Sequence, residues 1–127
     1  MSLSARCFLA IALMPIAACA LIAGQDCSTD IRFAVNVKVT DSVTGATIAS
    51  GAQLVVWDGQ YVDSTSIPAG HPEMDAWDLK AAGERAGAYT VFVRKTGYRE
   101  WVRSGVVSTS TKCHVNGINI TARMQRQ

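Results

Sequence analysis

The segment 63–83 holds the residues whose types and spacing come closest to a chemical site. His71 and Glu73 lie near each other in sequence, and Asp75 and Asp78 follow shortly after. An imidazole beside carboxylates could hold a metal ion or move a proton. Prolines and glycines interrupt the segment, which is typical of a surface loop where polar residues are expected in any case. We therefore predict no metal, no cofactor and no enzymatic activity, and keep His71 and Glu73 only as candidate ligand-binding residues.

A second candidate site lies in the segment 94–103, which is rich in basic residues. If this segment forms a strand, alternation places Arg99, Trp101 and Arg103 on one face. These side chains could bind an anionic ligand, or they could form a solvated face with the arginine stems packed against the indole ring. We favour the solvated face. The whole chain has 12 basic and 10 acidic residues and a net charge of +2, so we expect no nucleic-acid partner.

The N-terminus has the organisation of an export signal. Residues 1–6 are short and weakly positive, and an apolar run with Pro15 near its end leads into small residues. The sequence Ile16-Ala-Ala-Cys19 resembles the bacterial lipobox. That resemblance implies cleavage before Cys19, a diacylglycerol on its thiol and palmitate-type acylation of its amine. Ordinary cleavage after Ala20 or near Ala23 and an uncleaved membrane anchor remain alternatives.

The four cysteines divide between the export signal and the domain that follows. Cys7 leaves with the signal and Cys19 carries the lipid, so Cys27 and Cys113 remain. A single pair in an oxidising compartment predicts a disulfide, which would close a loop nearly as long as the domain. Two free thiols or a metal site are the alternatives. Two histidines in the chain and no close cysteine spacing disfavour zinc.

Alternating apolar residues predict an all-β domain. We expect strands at 31–39, 52–57, 60–62, 87–93, 98–103, 106–107 and 114–122. Asp58-Gly59 predicts a two-residue hairpin turn, and 63–83 predicts a long loop with at most a short strand or helical turn around Ala76 to Ala82. His114 is expected to be an outward-facing polar residue on a strand. About seven short strands indicate an antiparallel β-sandwich.

The spacing of several turn and core residues resembles the carboxypeptidase regulatory-like domain, a relative of transthyretin. The resemblance rests on Asp41-Ser-Val-Thr-Gly45 with Ile48 and Ala52 downstream, and on Gly87-Ala-Tyr89 and Gly97-Tyr98. It covers about residues 27–124 and implies an antiparallel Greek-key β-sandwich. The metal and catalytic residues of the carboxypeptidases belong to another domain. The histidines and C-terminal tail of the hydroxyisourate-hydrolysing relatives have no counterpart here.

These observations predict three parts: a signal peptide at 1–18, a tether at 19–26 and a β-sandwich at 27–127. We expect a lipoprotein held in the cell envelope, on the periplasmic face of the outer membrane, whose sandwich is a structural or protein-interaction module with an envelope protein as its partner. The alternative location is soluble, secreted or periplasmic. The alternative function is a small ligand-binding or hydrolytic protein that uses the loop 63–83.

Overall fold

A computed structural model describes residues 27–127. It contains seven strands in two sheets that form a sandwich-like arrangement. The strands are β1 (Phe33–Asp41), β2 (Ala52–Asp58), β3 (Tyr61–Ser66), β4 (Leu79–Gly83), β5 (Gly87–Lys95), β6 (Trp101–Ser108) and β7 (Ile118–Met124). A single 3-10 turn, Pro72–Met74, lies between β3 and β4. The predicted signal peptide, the lipid site at Cys19 and the tether at 19–26 all lie outside the described residues.

One sheet has the order β4-β1-β7 and the other has the order β3-β2-β5-β6. The core lies between them because the alternation in each strand directs its apolar side chains inward. The largest fully buried side chains are Tyr89, Leu54, Leu79, Met124 and the valines at 35, 37, 39, 56, 91 and 93. In β1, β2 and β5, the alternation that predicted the strand therefore also fills the core.

The prediction of a wholly antiparallel sandwich is wrong at one pair. β1 and β7 pair in parallel, with Val37 opposite Ile120. Nearly the whole domain connects these two strands, so no hairpin fixes their relative direction. Alternation along a strand also carries no information on direction, which is why the sequence pattern could not show it.

Other boundaries also differ from the sequence prediction. The segment 63–83 contains most of β3, which was predicted as loop, and all of β4, where a short strand or helical turn was allowed. Leu79 and Ala81 of β4 are buried. The two segments predicted at 98–103 and 106–107 join in one strand, β6, which begins only at Trp101, so residues 98–100 precede it. The hairpin turn consists of Gly59 and Gln60, since Asp58 still pairs with Tyr61. Gly59 has a positive φ of 59°, a conformation that favours glycine at the first position of such turns.

A buried carboxylate ties three segments together at one end of the sandwich. Asp41 is 1% exposed, and it accepts hydrogen bonds from the backbone N–H groups of Val43 (2.9 Å) and Thr44 (3.0 Å). It also accepts from the Tyr98 hydroxyl at 2.9 Å and from Arg126 Nε at 2.7 Å. The backbone bond from Thr44 and the Arg126 guanidinium hold the pKa of Asp41 well below its usual range. The Asp41 carboxylate therefore stabilises the fold only while it is ionised.

A disulfide joins Cys27 to Cys113, as the cysteine count predicted, with the two Cα atoms 5.2 Å apart. It ties the residues before β1 to the loop between β6 and β7. Among the described residues, no helix has the length and apolar character needed to cross a membrane.

Candidate functional site

The open side of the sandwich between β6 and β7 has the strongest features of a binding surface. β6 ends the four-stranded sheet and β7 ends the three-stranded sheet, so two edge strands face each other without pairing. Two cavities of about 300 and 240 Å³ lie along them. We call this surface the β6–β7 groove. It is lined by Arg99, Glu100, Trp101, Val102, Arg103, Gly105, Val106, Val107, Ile118, Asn119, Ile120, Arg123 and Gln125.

All three residues of the predicted basic patch lie along this groove. Arg99 and Trp101 line the larger cavity, together with Arg123 from the end of β7. Arg103 lines the smaller cavity, so the patch is extended along the strand and is not a single cluster. Among the described ion pairs, none involves Arg99, Arg103 or Arg123. The groove thus carries three exposed guanidinium groups whose charges have no carboxylate partner in the described part of the chain.

Trp101 provides an apolar wall for the groove. Its side chain is half-buried and packs against the hydrophobic core. The cation–π contacts within residues 27–127 belong to Arg85, which lies 3.9 Å from the ring centre of Tyr61 and 5.8 Å from that of Tyr89. None of these contacts involves Trp101, so the stacking of Arg99 or Arg103 on its ring, which the strand alternation allowed, is not found there. The guanidinium groups of the groove stay available to a ligand.

The loop that carries His71 does not gather its acidic residues into one site. His71 Nδ1 and Glu73 Oε1 are 2.8 Å apart, and this hydrogen bond lowers the pKa of Glu73. Asp75 instead accepts a hydrogen bond from the backbone N–H of Ser50, and Asp78 lines other cavities. No group of three potential metal ligands occurs among residues 27–127. The pair of His71 and Glu73 therefore stands alone at the surface.

A hydrogen-bonded chain that the sequence prediction missed lies beside the disulfide. Ser28 Oγ is 2.9 Å from His114 Nε2, and His114 Nδ1 is 2.7 Å from Glu84 Oε1. His114 is only 9% exposed and precedes β7, so its predicted outward position on a strand is wrong. One signal was available in the sequence: Ser28 and His114 each follow a cysteine of the predicted bridge. Nothing local marked Glu84 as their third member.

Glu84 is anchored by the backbone around it. It accepts hydrogen bonds from the N–H groups of Arg32 at 2.7 Å and Val115 at 3.1 Å. The bond from Arg32, followed by the bond to His114, lowers its pKa. Glu84 also has a positive φ of 49°, which is uncommon for a residue with a side chain. The surrounding hydrogen bonds hold it in that conformation.

No protein-family model matches the chain, and no curated protein matches it. The functional argument therefore rests on the residues and the geometry described above.

Proposed function

We propose that this chain is an exported, lipid-anchored protein of the cell envelope, and that its sandwich binds an extended acidic segment of a partner protein in the β6–β7 groove. The leader and the lipobox-like Ile16-Ala-Ala-Cys19 support export and anchoring. The Cys27–Cys113 disulfide supports the same compartment, because such bonds persist mainly outside the cytosol.

The structure also supports the proposed relationship to carboxypeptidase regulatory-like domains and their Greek-key, transthyretin-like sandwich. Two parts of the motif that are distant in sequence meet, since the Tyr98 hydroxyl donates to the Asp41 carboxylate. Gly45 and Gly97 have φ values of 72° and 84°, which explains why the motif has glycine at both turns. These contacts show that the residues shared with the family stabilise the fold. They do not indicate a ligand, so the binding function is argued from the groove.

The observation that carries the binding proposal is the unpaired edge of β6 beside three arginines without carboxylate partners. An edge strand offers backbone N–H and C=O groups to an added extended segment. Arg99, Arg103 and Arg123 favour acidic side chains on that segment, and Trp101 offers an apolar surface between them. The predicted partner is thus extended, acidic and partly apolar.

A peptide pair tests this proposal directly. The probes are a peptide of alternating Glu and Val, matched in length to the 8 residues of β6, and a peptide of alternating Lys and Val. We expect the acidic peptide to bind, with an affinity that falls as salt rises, and the basic peptide not to bind. Isothermal titration calorimetry provides the measurement.

The charge-reversal variant R99E/R103E should weaken binding of the acidic peptide by about tenfold or more, because two attractions become repulsions. The matched control is K38E/K80E, which makes the same change of net charge on exposed strand residues of the other sheet. Equal affinities in both variants would show that only net charge matters, and would reject the groove. Equal binding of the acidic and basic peptides would reject the acidic partner.

The anchoring part of the proposal has a separate test. Mass spectrometry of the mature protein should find a lipid-modified Cys19 as the first residue, and globomycin should block its processing. A free amine at Leu21 would disprove the lipid anchor and leave the groove proposal untouched.

A further inference from the structure

The chain of Ser28, His114 and Glu84 has the order of contacts that activates a serine. A hydroxyl becomes a nucleophile when a neighbouring base takes its proton, and the base works best when a third group orients it. Here Ser28 Oγ lies 2.9 Å from His114 Nε2, and Glu84 Oε1 lies 2.7 Å from His114 Nδ1. Both distances are within hydrogen-bond range.

The direction of each hydrogen bond follows from Glu84. Its carboxylate accepts from two backbone N–H groups, those of Arg32 and Val115, and the lowered pKa keeps it ionised and unable to donate. The proton of a neutral His114 must therefore lie on Nδ1 and point to Glu84. Nε2 then has a free lone pair, and it can only accept from the Ser28 hydroxyl. This is the tautomer that a general base requires.

Ser28, His114 and Glu84 differ in their exposure to solvent. The His114 side chain is 9% exposed, so the base is shielded from solvent, whereas the Glu84 side chain is 33% exposed and is held by its hydrogen bonds. Ser28 is exposed and lies next to the disulfide that holds its segment. An electrophile from solution can thus reach the hydroxyl while the base behind it stays ordered.

We propose that Ser28 is a reactive serine, activated by His114 and Glu84, that is modified by acyl or phosphonyl donors. In the reaction with an ester, Ser28 Oγ bonds to the acyl carbon as His114 Nε2 takes the hydroxyl proton. The bond from that carbon to the alkoxy oxygen breaks, and the leaving alkoxide takes the proton from His114. The product is an ester on Ser28 and a free alcohol. The inference does not depend on the β6–β7 groove.

The test uses a fluorophosphonate probe on the intact protein. Ser28 Oγ would form a bond to phosphorus as His114 Nε2 takes the hydroxyl proton, the phosphorus–fluorine bond would break, and fluoride would leave. We expect one adduct per chain, which peptide mass spectrometry should locate at Ser28. S28A should abolish it, whereas S66A, which removes another exposed serine, should label like the wild type.

Two further variants test the base. H114Q should slow labelling by about a hundredfold, within the range that general-base catalysis provides. E84A should also slow it, because it removes the acceptor that holds the imidazole proton on Nδ1. An intact disulfide by mass under non-reducing conditions and an unchanged circular dichroism spectrum establish that each variant is folded. Absence of an adduct, labelling spread over several serines, or equal rates in folded H114Q and wild type would overturn the proposal.

Discussion

Replacing both bridge cysteines, as in C27S/C113S, should remove a large part of the stability of the domain. The bridge closes a loop with a sequence separation of 86. In the chain-entropy model, a loop of this length restricts the unfolded chain by about 4 to 5 kcal/mol. A natural domain of this size is stable by only about 5–15 kcal/mol. For a domain of roughly 100 residues, the change corresponds to a fall in Tm of about 20 °C or more.

Thermal and urea unfolding of the wild type, C27S/C113S and S28A separate the cross-link from the contacts beside it. S28A removes the Ser28–His114 hydrogen bond but keeps the bridge, so we expect a loss of at most about 1.5 kcal/mol. If C27S/C113S loses less than about 5 °C in Tm, the loop-closure argument is refuted. If S28A loses as much as the double variant, local contacts explain the effect.

Three further predictions concern single residues of the domain. Asp41 has a lowered pKa, so its stabilising effect is present above its unfolded pKa of about 4 and is lost as pH falls toward the folded value; in urea unfolding, the difference between wild type and D41N should be largest near pH 7 and shrink below about pH 4. L54A removes side-chain volume from a fully buried site and should cost about 2–5 kcal/mol, whereas V62A, at a position that is 61% exposed, should change the unfolding free energy by less than about 0.5 kcal/mol. Gly97 has a φ of 84° and open space around its missing Cβ, so G97A should cost about 1–2 kcal/mol through backbone strain alone, measured by the same unfolding curves; a neutral result would contradict that conformation.

Local sequence patterns predicted most of the fold. Alternation found β1, β2 and β5, because one face of each strand is buried and the other is more exposed. The cysteine count predicted the bridge, because the two cysteines expected to remain in the domain have one pairing to make. For β4 the sequence allowed only a short strand or helical turn around 76–82, because its five residues are too short for a clear period. It also could not reveal the parallel pairing of β1 with β7, which depends on contacts across the whole chain.

The candidate sites also differed in how far local sequence patterns could predict them. Trp101 and Arg103 lie on β6 and Arg99 lies just before it, so alternation along the predicted strand was enough to place the three along a common surface. Arg123 joins them from β7, and no pattern near residue 100 indicates it. His114 was misplaced because its environment comes from Ser28 and Glu84, which are 86 and 30 positions away in sequence. Sites within one element are visible in a sequence, whereas sites built between elements require the fold.

The disulfide also helps to position the proposed reactive serine. It joins the residues immediately before Ser28 and His114, so it holds the hydroxyl beside its base. The other end of the short segment is held by the Arg32 N–H bond to Glu84. Reduction releases only the first attachment, so fluorophosphonate labelling of Ser28 should slow in reduced protein or in C27S/C113S, measured at a temperature where circular dichroism shows the sheets intact. If the labelling rate is unchanged, the Arg32–Glu84 contact alone positions the serine, and the bridge acts on stability only.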